Sequence, residues 1–166
     1  MIRIICRVVL VAVAVLGSGH VAQASEHIIN IPALALLPAG TATGDRNLDG
    51  AGILANAEGT FYAAVNFPKF GRSVCSFTLY ARDNDALDVQ ANLYLKGIGS
   101  ASTFAPATLM ASVSTAGATM TLKGFTTTAV TNPVINGDRF YFVEVVFPPG
   151  INVDVLGLKI VHLPTC

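Results

Sequence analysis

The sequence contains no tryptophan and few charged residues. Only 12% of its 166 residues are Asp, Glu, Lys or Arg, and ten basic side chains balance ten acidic ones. A balanced chain lacks the concentrated positive charge with which proteins bind nucleic acids or anionic membranes. Because 52% of the residues are apolar, we expect either a large core or apolar surface that is buried against a partner.

Residues that carry enzymatic chemistry are also scarce. The chain has three histidines and three cysteines, and it contains no G-x-S-x-G, P-loop or G-x-G-x-x-G motif. His27 and His162 are far apart and lack the spacing of metal ligands. Glu58 and Glu144 could be imagined as a glycosidase pair, but a lone Glu144 on a strand is more simply a paired or interfacial charge. We therefore predict no catalytic residues.

No apolar run reaches the roughly 20 residues that a membrane-spanning helix requires. The N-terminal stretch "MIRIICRVVLVAVAVLGSGHVAQASEH" has Arg3 and Arg7 before a short apolar run, followed by the small-x-small pattern of Ala22 to Ala24. We predict a cleaved secretory signal peptide over residues 1–24, the alternative being an uncleaved membrane anchor. Residues 25–166 would then form a single domain with a net charge of −2, because the signal contains two basic residues and no acidic ones. The domain would be periplasmic, extracellular or held on the cell surface.

Two cysteines, Cys75 and Cys166, remain after the predicted cleavage. In an oxidising compartment an even pair favours a disulfide, which would fix the C-terminal strand to the middle of the chain. Closing so long a loop stabilises a fold by roughly 4 to 5 kcal/mol. Two free thiols, or a disulfide between subunits, are the alternatives.

The rest of the sequence alternates between apolar and polar residues with period two. "SVCSFTLYARD" and "LDVQANLYLKG" are the cleanest runs, and the turn residues "DNDA" between them predict a hairpin. The other predicted strands cover residues 28–37, 60–67, 109–115, 120–127, 139–147 and 153–163. About eight short strands separated by Gly, Pro and Asn predict an all-β fold, an antiparallel β-sandwich of jelly-roll type.

Two late strands are apolar on both faces. In "RFYFVEVVF", Phe140, Phe142 and Val146 lie opposite the face of Tyr141, Val143, Val145 and Phe147. In "INVDVLGLKIVHL", Gly157 suggests a bulge, and Leu158 and Ile160 extend the apolar character. The outer faces of a small sandwich are normally wetted, so we predict a subunit interface at Phe140, Phe142 and Val146, extended by Leu158 and Ile160.

The stretch "GDRNLDGAG" places Asp45, Asn47 and Asp49 at alternate positions before Gly50. Alternating oxygen ligands followed by glycine are typical of calcium loops. An EF-hand is excluded because its twelfth position would be Asn56 rather than an acid. A looser calcium loop at Asp45, Asn47 and Asp49 and an ordinary polar turn both remain open.

Sugar binding is a further hypothesis. Sugar-binding sandwiches commonly present exposed aromatic side chains on a strand face. Tyr80 and Tyr94 lie on the polar faces of the predicted hairpin strands, so they could form a small platform for a glycan. The alternative is a cross-strand aromatic pair that only stabilises the hairpin.

From Thr60 onward the order of motifs resembles a loosely defined group of exported bacterial proteins. The motifs are "FYAAVNFPKFGRSVCSFTLYARDND", "VQANLYL", "TLMASVSTAGA", "VTNPVINGDRFYFVEVVF" and "LGLKIVHL". Over residues 60–163 this resemblance implies a jelly-roll-like β-sandwich of secreted or surface proteins. It supplies no catalytic residues.

These observations predict a non-enzymatic exported protein with a structural or adhesive role, acting through self-association or other surface contacts. The alternative is a small carbohydrate-binding module. We expect a homo-oligomer with a glycan or cell-surface partner, no nucleic-acid partner, no insertion into a membrane after signal cleavage, and no cofactor other than calcium.

Overall fold

A computed structural model of the chain describes residues 26–47, 53–97 and 106–166. The predicted signal peptide, residues 1–24, lies outside these ranges. The described strands are β1 His27–Pro32, β2 Leu37–Pro38, β3 Thr43–Asn47, β4 Ile53–Val65, β5 Ser73–Asp83, β6 Gln90–Gly97, β7 Thr108–Ser114, β8 Thr119–Thr127, β9 Arg139–Phe147 and β10 Val153–Leu163, with a short 3-10 helix at Ala33–Ala35.

The strands form two antiparallel sheets. In sheet I the order is β7-β6-β9-β4, with the short β2 also pairing with β4. In sheet II the order is β4-β10-β5-β8, with β1 beside β10 and β3 beside β4. The predicted fold class, an antiparallel β-sandwich, is therefore confirmed. The predicted strand over residues 28–37 ends at Pro32, where the 3-10 helix begins, and β2 follows at Leu37. The other seven predicted strands are present, and the short β3 is additional.

Strand β4 belongs to both sheets. Leu54 pairs with β10 in sheet II, whereas Gly59 to Val65 pair with β9 in sheet I. Gly59 has φ +93°, and a Cβ there would lie 2.9 Å from the Cβ of Ala42. Glycine allows both the left-handed backbone and the close approach where the strand leaves one sheet for the other.

The core is built from the inward-facing residues of both sheets. Sheet I contributes Phe61, Leu93, Val143, Val145 and Phe147, and sheet II contributes Phe77, Leu79, Val155, Leu158 and Ile160, all essentially buried. The period-two alternation thus assigns the inner faces correctly. Burial of Leu158 and Ile160 in the core contradicts their predicted place in a subunit interface.

The predicted hairpin between β5 and β6 is wrong. Strand β5 pairs with β10 and β8, whereas β6 pairs with β7 and β9, so the connection between them crosses from sheet II to sheet I. The turn itself forms around Asp85, whose carboxylate accepts hydrogen bonds from the backbone N–H groups of Ala86, Leu87 and Asn152. Turn residues indicate where a strand ends, but they do not indicate which strand it pairs with next.

The predicted Cys75–Cys166 disulfide is present, with Cα atoms 5.3 Å apart across 91 residues of sequence. The predicted bulge at Gly157 is also present, because the register of β10 against β5 shifts between Val155 and Gly157.

Within the described ranges, no helix has the length and apolar composition needed to cross a membrane.

Candidate functional site

The outer face of sheet I carries a group of aromatic and polar side chains from three neighbouring strands. Because β9 lies between β4 and β6, Tyr62 pairs across with Glu144, Asn92 pairs with Glu144 from the other side, and Tyr94 pairs with Phe142. We call these five residues the aromatic face: Tyr62, Asn92, Tyr94, Phe142 and Glu144. Each occupies the outward position of its strand's alternation, between neighbours that belong to the core.

The three rings of the aromatic face contact one another. Tyr94 and Phe142 are stacked, with ring centroids 5.2 Å apart and an interplanar angle of 18°. Tyr62 meets Phe142 edge-on at 6.0 Å. The β4 residue across from Phe142 is Ala64, which is exposed and too small to cover the neighbouring ring. The cluster is therefore ordered by its own contacts and leaves space beside Phe142.

Glu144 sits at the centre of this face. Its Oε1 accepts a hydrogen bond from the Tyr62 hydroxyl at 2.9 Å, and its Oε2 accepts one from the Asn92 amide at 3.0 Å. Burial of the ring, the hydrogen bond to Glu144 and its charge raise the pKa of Tyr62. Burial and the charge of Glu144 likewise raise the pKa of Tyr94. Both phenols are therefore neutral near pH 7 and can donate or accept hydrogen bonds.

The three predicted interface residues lie on the same outer face. Phe140 is 61% exposed, and Phe142 and Val146 are half-buried. Exposed Leu37 and Leu109 extend the apolar surface at its two margins. The prediction that this surface contacts a partner is untested.

The predicted tyrosine platform does not form, because Tyr80 and Tyr94 lie in different sheets. Tyr80 is on β5 in sheet II, where its ring lies against Gly124 and below the Lys159 ammonium at 6.0 Å. The prediction rested on a β5–β6 hairpin that does not exist. Tyr94 instead has Phe142 and, through it, Tyr62 as its aromatic neighbours.

Two pockets open at the end of sheet I where β9 begins, and Arg139 lines both. One, of about 260 Å³, is bordered by Ala64, Asn66, Phe70 and Phe140. The other, of about 410 Å³, is bordered by Thr108, Asn132 and Asn136 among others. The first pocket adjoins the aromatic face, since Ala64 pairs with Phe142.

The predicted calcium ligands lie partly outside the described residues. The backbones of Asp45 and Asn47 lie in β3 and pair with β4, while Asp49 falls outside the described residues. Elsewhere in the described chain, no group of three or more His, Cys, Asp or Glu side chains could hold a metal ion. The calcium site therefore stays a prediction.

Sequence reasoning missed Tyr62 and Asn92 as members of the site. Their outward positions were readable from the alternation in "GTFYAAV" and "VQANLYL". Their proximity was not, because it depends on β4 and β6 both pairing with β9, which follows them by more than 40 residues.

No protein-family model and no curated protein sequence matches the chain. Among solved structures, the chain is similar to the CBM36-1 domain of a multidomain xylanase from the hindgut metagenome of Trinervitermes trinervoides. The sequence identity is 16% and the TM-score is 0.49, and the match covers 82% of this chain and 96% of that one. A carbohydrate-binding module CBM36 solved with calcium and xylotriose matches at 11% identity and a TM-score of 0.48, with coverage of 81% and 98%. The C-terminal CBM6 of a laminarinase from Zobellia galactanivorans matches at 11% identity and a TM-score of 0.47, with the same coverage.

Proposed function

We propose that this protein is a non-enzymatic, exported carbohydrate-binding protein and that the aromatic face is its binding site. The observation that carries the proposal is the position of Glu144. Its carboxylate stands among three aromatic rings and is held from both sides, by the Tyr62 hydroxyl and the Asn92 amide. Aromatic surface next to an oriented hydrogen-bond acceptor matches the chemistry of a sugar, which has apolar C–H faces and hydroxyl donors.

Different residues of the aromatic face would contact different parts of the sugar. Each oxygen of Glu144 accepts one hydrogen bond from the protein and retains capacity for a sugar hydroxyl. The rings of Tyr62, Tyr94 and Phe142 offer rigid apolar area, because an aromatic side chain has only two torsions to order on binding. The mutual stacking of Tyr94 and Phe142 fixes them before a ligand arrives.

Self-association through Phe140, Phe142 and Val146 is the second candidate, and the exposed apolar side chains around Phe140 favour it. Glu144 argues against it. In a two-fold contact centred on Glu144, this carboxylate would approach its own copy and lose water without gaining a cation. A ligand rich in hydroxyl groups imposes no such cost.

The test is the retention of the protein by a panel of polysaccharides in affinity gel electrophoresis. Tyr94→Ala should weaken binding of the retained polysaccharide about tenfold, which corresponds to ~1.4 kcal/mol. Glu144→Gln should weaken it by a similar factor, because the carboxylate is the stronger acceptor. Tyr80→Ala is the matched control, since it removes an equivalent ring from the opposite sheet and should leave retention unchanged.

If no polysaccharide retards the wild-type protein, the result contradicts the proposed carbohydrate binding. Equal losses for Tyr94→Ala and Tyr80→Ala would mean that the aromatic face is not the site. Running the same gels in calcium and in chelator tests the remaining prediction for Asp45, Asn47 and Asp49, because calcium dependence would make these residues candidate ligands.

A further inference from the structure

The end of sheet I that adjoins the aromatic face is lined with basic side chains. Arg139 opens β9 and lines both pockets there. Lys96 pairs across from Phe140, whose side chain borders the smaller pocket. Lys69 and Arg72 belong to the loop that precedes β5, and both act electrostatically on His27 at this end of the sandwich.

The backbone holds these basic residues together. The N–H of Gly71 donates to the carbonyl of Ile135 at 2.8 Å, and the N–H of Ile135 donates to the carbonyl of Arg72 at 2.7 Å. These bonds fix the loop before β5 against the segment that leads into β9. The ring of Phe70 then packs over Gly137, where a Cβ would be 3.2 Å from the ring.

The ion pair that Arg139 forms with Asp138 is weak. Asp138 lies 3.6 Å from the Nε of Arg139, beyond hydrogen-bond distance, and its side chain is 74% exposed. Glu26, beside His27 at the start of β1, is exposed as well. An ion pair of such exposure contributes little, so the Arg139 guanidinium remains available to an incoming anion.

We infer that the glycan bound by the aromatic face carries an anionic group, a carboxylate or a sulfate, and that Arg139 binds this group between the two pockets. The inference rests on the proposed function and specifies the class of its ligand. Glu144 and Arg139 are five residues apart on β9, or roughly 16 Å along an extended strand, and an odd spacing turns their side chains toward opposite faces of the sheet. The smaller pocket joins the two faces, because its lining includes both Arg139 and Ala64, which pairs with Phe142 on the outer face. A neutral sugar unit therefore occupies the aromatic face, and an acidic substituent a few units along the chain reaches the guanidinium around the end of the sheet.

The surrounding polar groups fit such a substituent. Arg139 presents a planar set of donors that matches a carboxylate or sulfate in two parallel hydrogen bonds. Asn132, Asn136 and Thr108 border the larger pocket and supply amide and hydroxyl groups for the neighbouring hydroxyls of the sugar. Phe70 and Phe140, both more than 60% exposed, supply apolar surface to the smaller pocket.

The experiment compares the full chain on matched acidic and neutral polymers in affinity electrophoresis: polygalacturonate against its methyl ester, carboxymethyl-cellulose against hydroxyethyl-cellulose, and dextran sulfate against dextran. The first two pairs test a carboxylate, and the third tests a sulfate. We expect an acidic polymer to be bound at least tenfold more tightly than its neutral partner. We expect Arg139→Gln to remove this difference, and Arg139→Lys to keep part of it.

Asp138→Asn is a control that should change the affinity in the opposite direction. It removes the acid nearest to Arg139, so acidic-polymer binding should become about two- to threefold stronger. Circular dichroism and the thermal midpoint of each variant establish that it is folded. Equal binding of acidic and neutral partners, or insensitivity to Arg139→Gln, overturns the anionic specificity and leaves carbohydrate binding intact. If no polymer of either kind is bound, the result contradicts both the anionic specificity and the proposed carbohydrate binding.

Discussion

His162 is fully buried near the end of β10, and neither of its ring nitrogens has a hydrogen-bond partner in the described part of the chain. Its ring stacks on His27 at 5.4 Å and meets the Phe67 ring edge-on. Burial lowers the pKa of His162 below its usual 6.5, and the nearby charges of His27 and Arg72 lower it further. The folded protein therefore holds this imidazole neutral at a pH where the unfolded chain would protonate it.

Stability should consequently fall on acidification. A group whose folded pKa is lowered contributes its full stability above the unfolded value of about 6.5, and loses it as the pH falls through the folded value. We expect the free energy of unfolding, from denaturant titrations, to decrease between pH 7.5 and pH 5. His162→Phe should reduce this slope, because phenylalanine has a ring of similar size that does not titrate. A slope that is the same in wild type and variant would assign the acid sensitivity to other groups.

At the scale of the element, the pairing of β1 with β10 leaves no room for a side chain at one position. Gly157 pairs with Pro32 at the bulge of β10, and a Cβ at residue 157 would lie 2.5 Å from the carbonyl oxygen of Ile31. Backbone at that distance cannot move aside without loss of the strand pairing. Ile31 and Ala33, which β1 and the following turn place in the core, would be displaced with it.

Gly157→Ala should therefore destabilise the protein by more than about 2 kcal/mol, measured as the free energy of unfolding. Gly150→Ala is the matched control. Gly150 has φ +69°, but nothing lies within 4 Å of its added Cβ, so only the backbone cost of about 1 kcal/mol applies. Similar losses in the two variants would mean that β1 is not held at this point.

The same elements show which features of the fold can be predicted from the sequence. Alternation predicted the strands of the sandwich and their inner faces, because burial on one side leaves a period of two in the residues themselves. It did not predict the two-residue β2, which is too short to carry a pattern, or that β5 pairs with β10 rather than β6. Pairing partners come from anywhere in the chain, so Tyr94 was correctly read as outward-facing and yet assigned the wrong neighbour.

At the scale of the molecule, the sparse charge and the exposed rings raise the question of association. The outer face of sheet I has an apolar rim of Leu37, Leu109 and Phe140 around a carboxylate. A rim of this kind attracts a second copy only if the enclosed carboxylate is paired, since an unpaired charge that loses its water destabilises the contact. The chemistry of this face therefore favours a hydroxyl-rich ligand over a copy of the chain.

Light scattering after gel filtration of residues 25–166 distinguishes the two outcomes. We expect the mass of one chain in both calcium and chelator, and no change in mass for Phe142→Lys. A larger mass that Phe142→Lys reduces to that of a folded monomer would instead establish the aromatic face as a subunit interface. Glu144→Gln separates the physical causes, because removal of the central charge should promote association of the copies while it weakens glycan binding. A single substitution that shifts the two equilibria in opposite directions would identify the carboxylate as the group that keeps this apolar face open for a sugar.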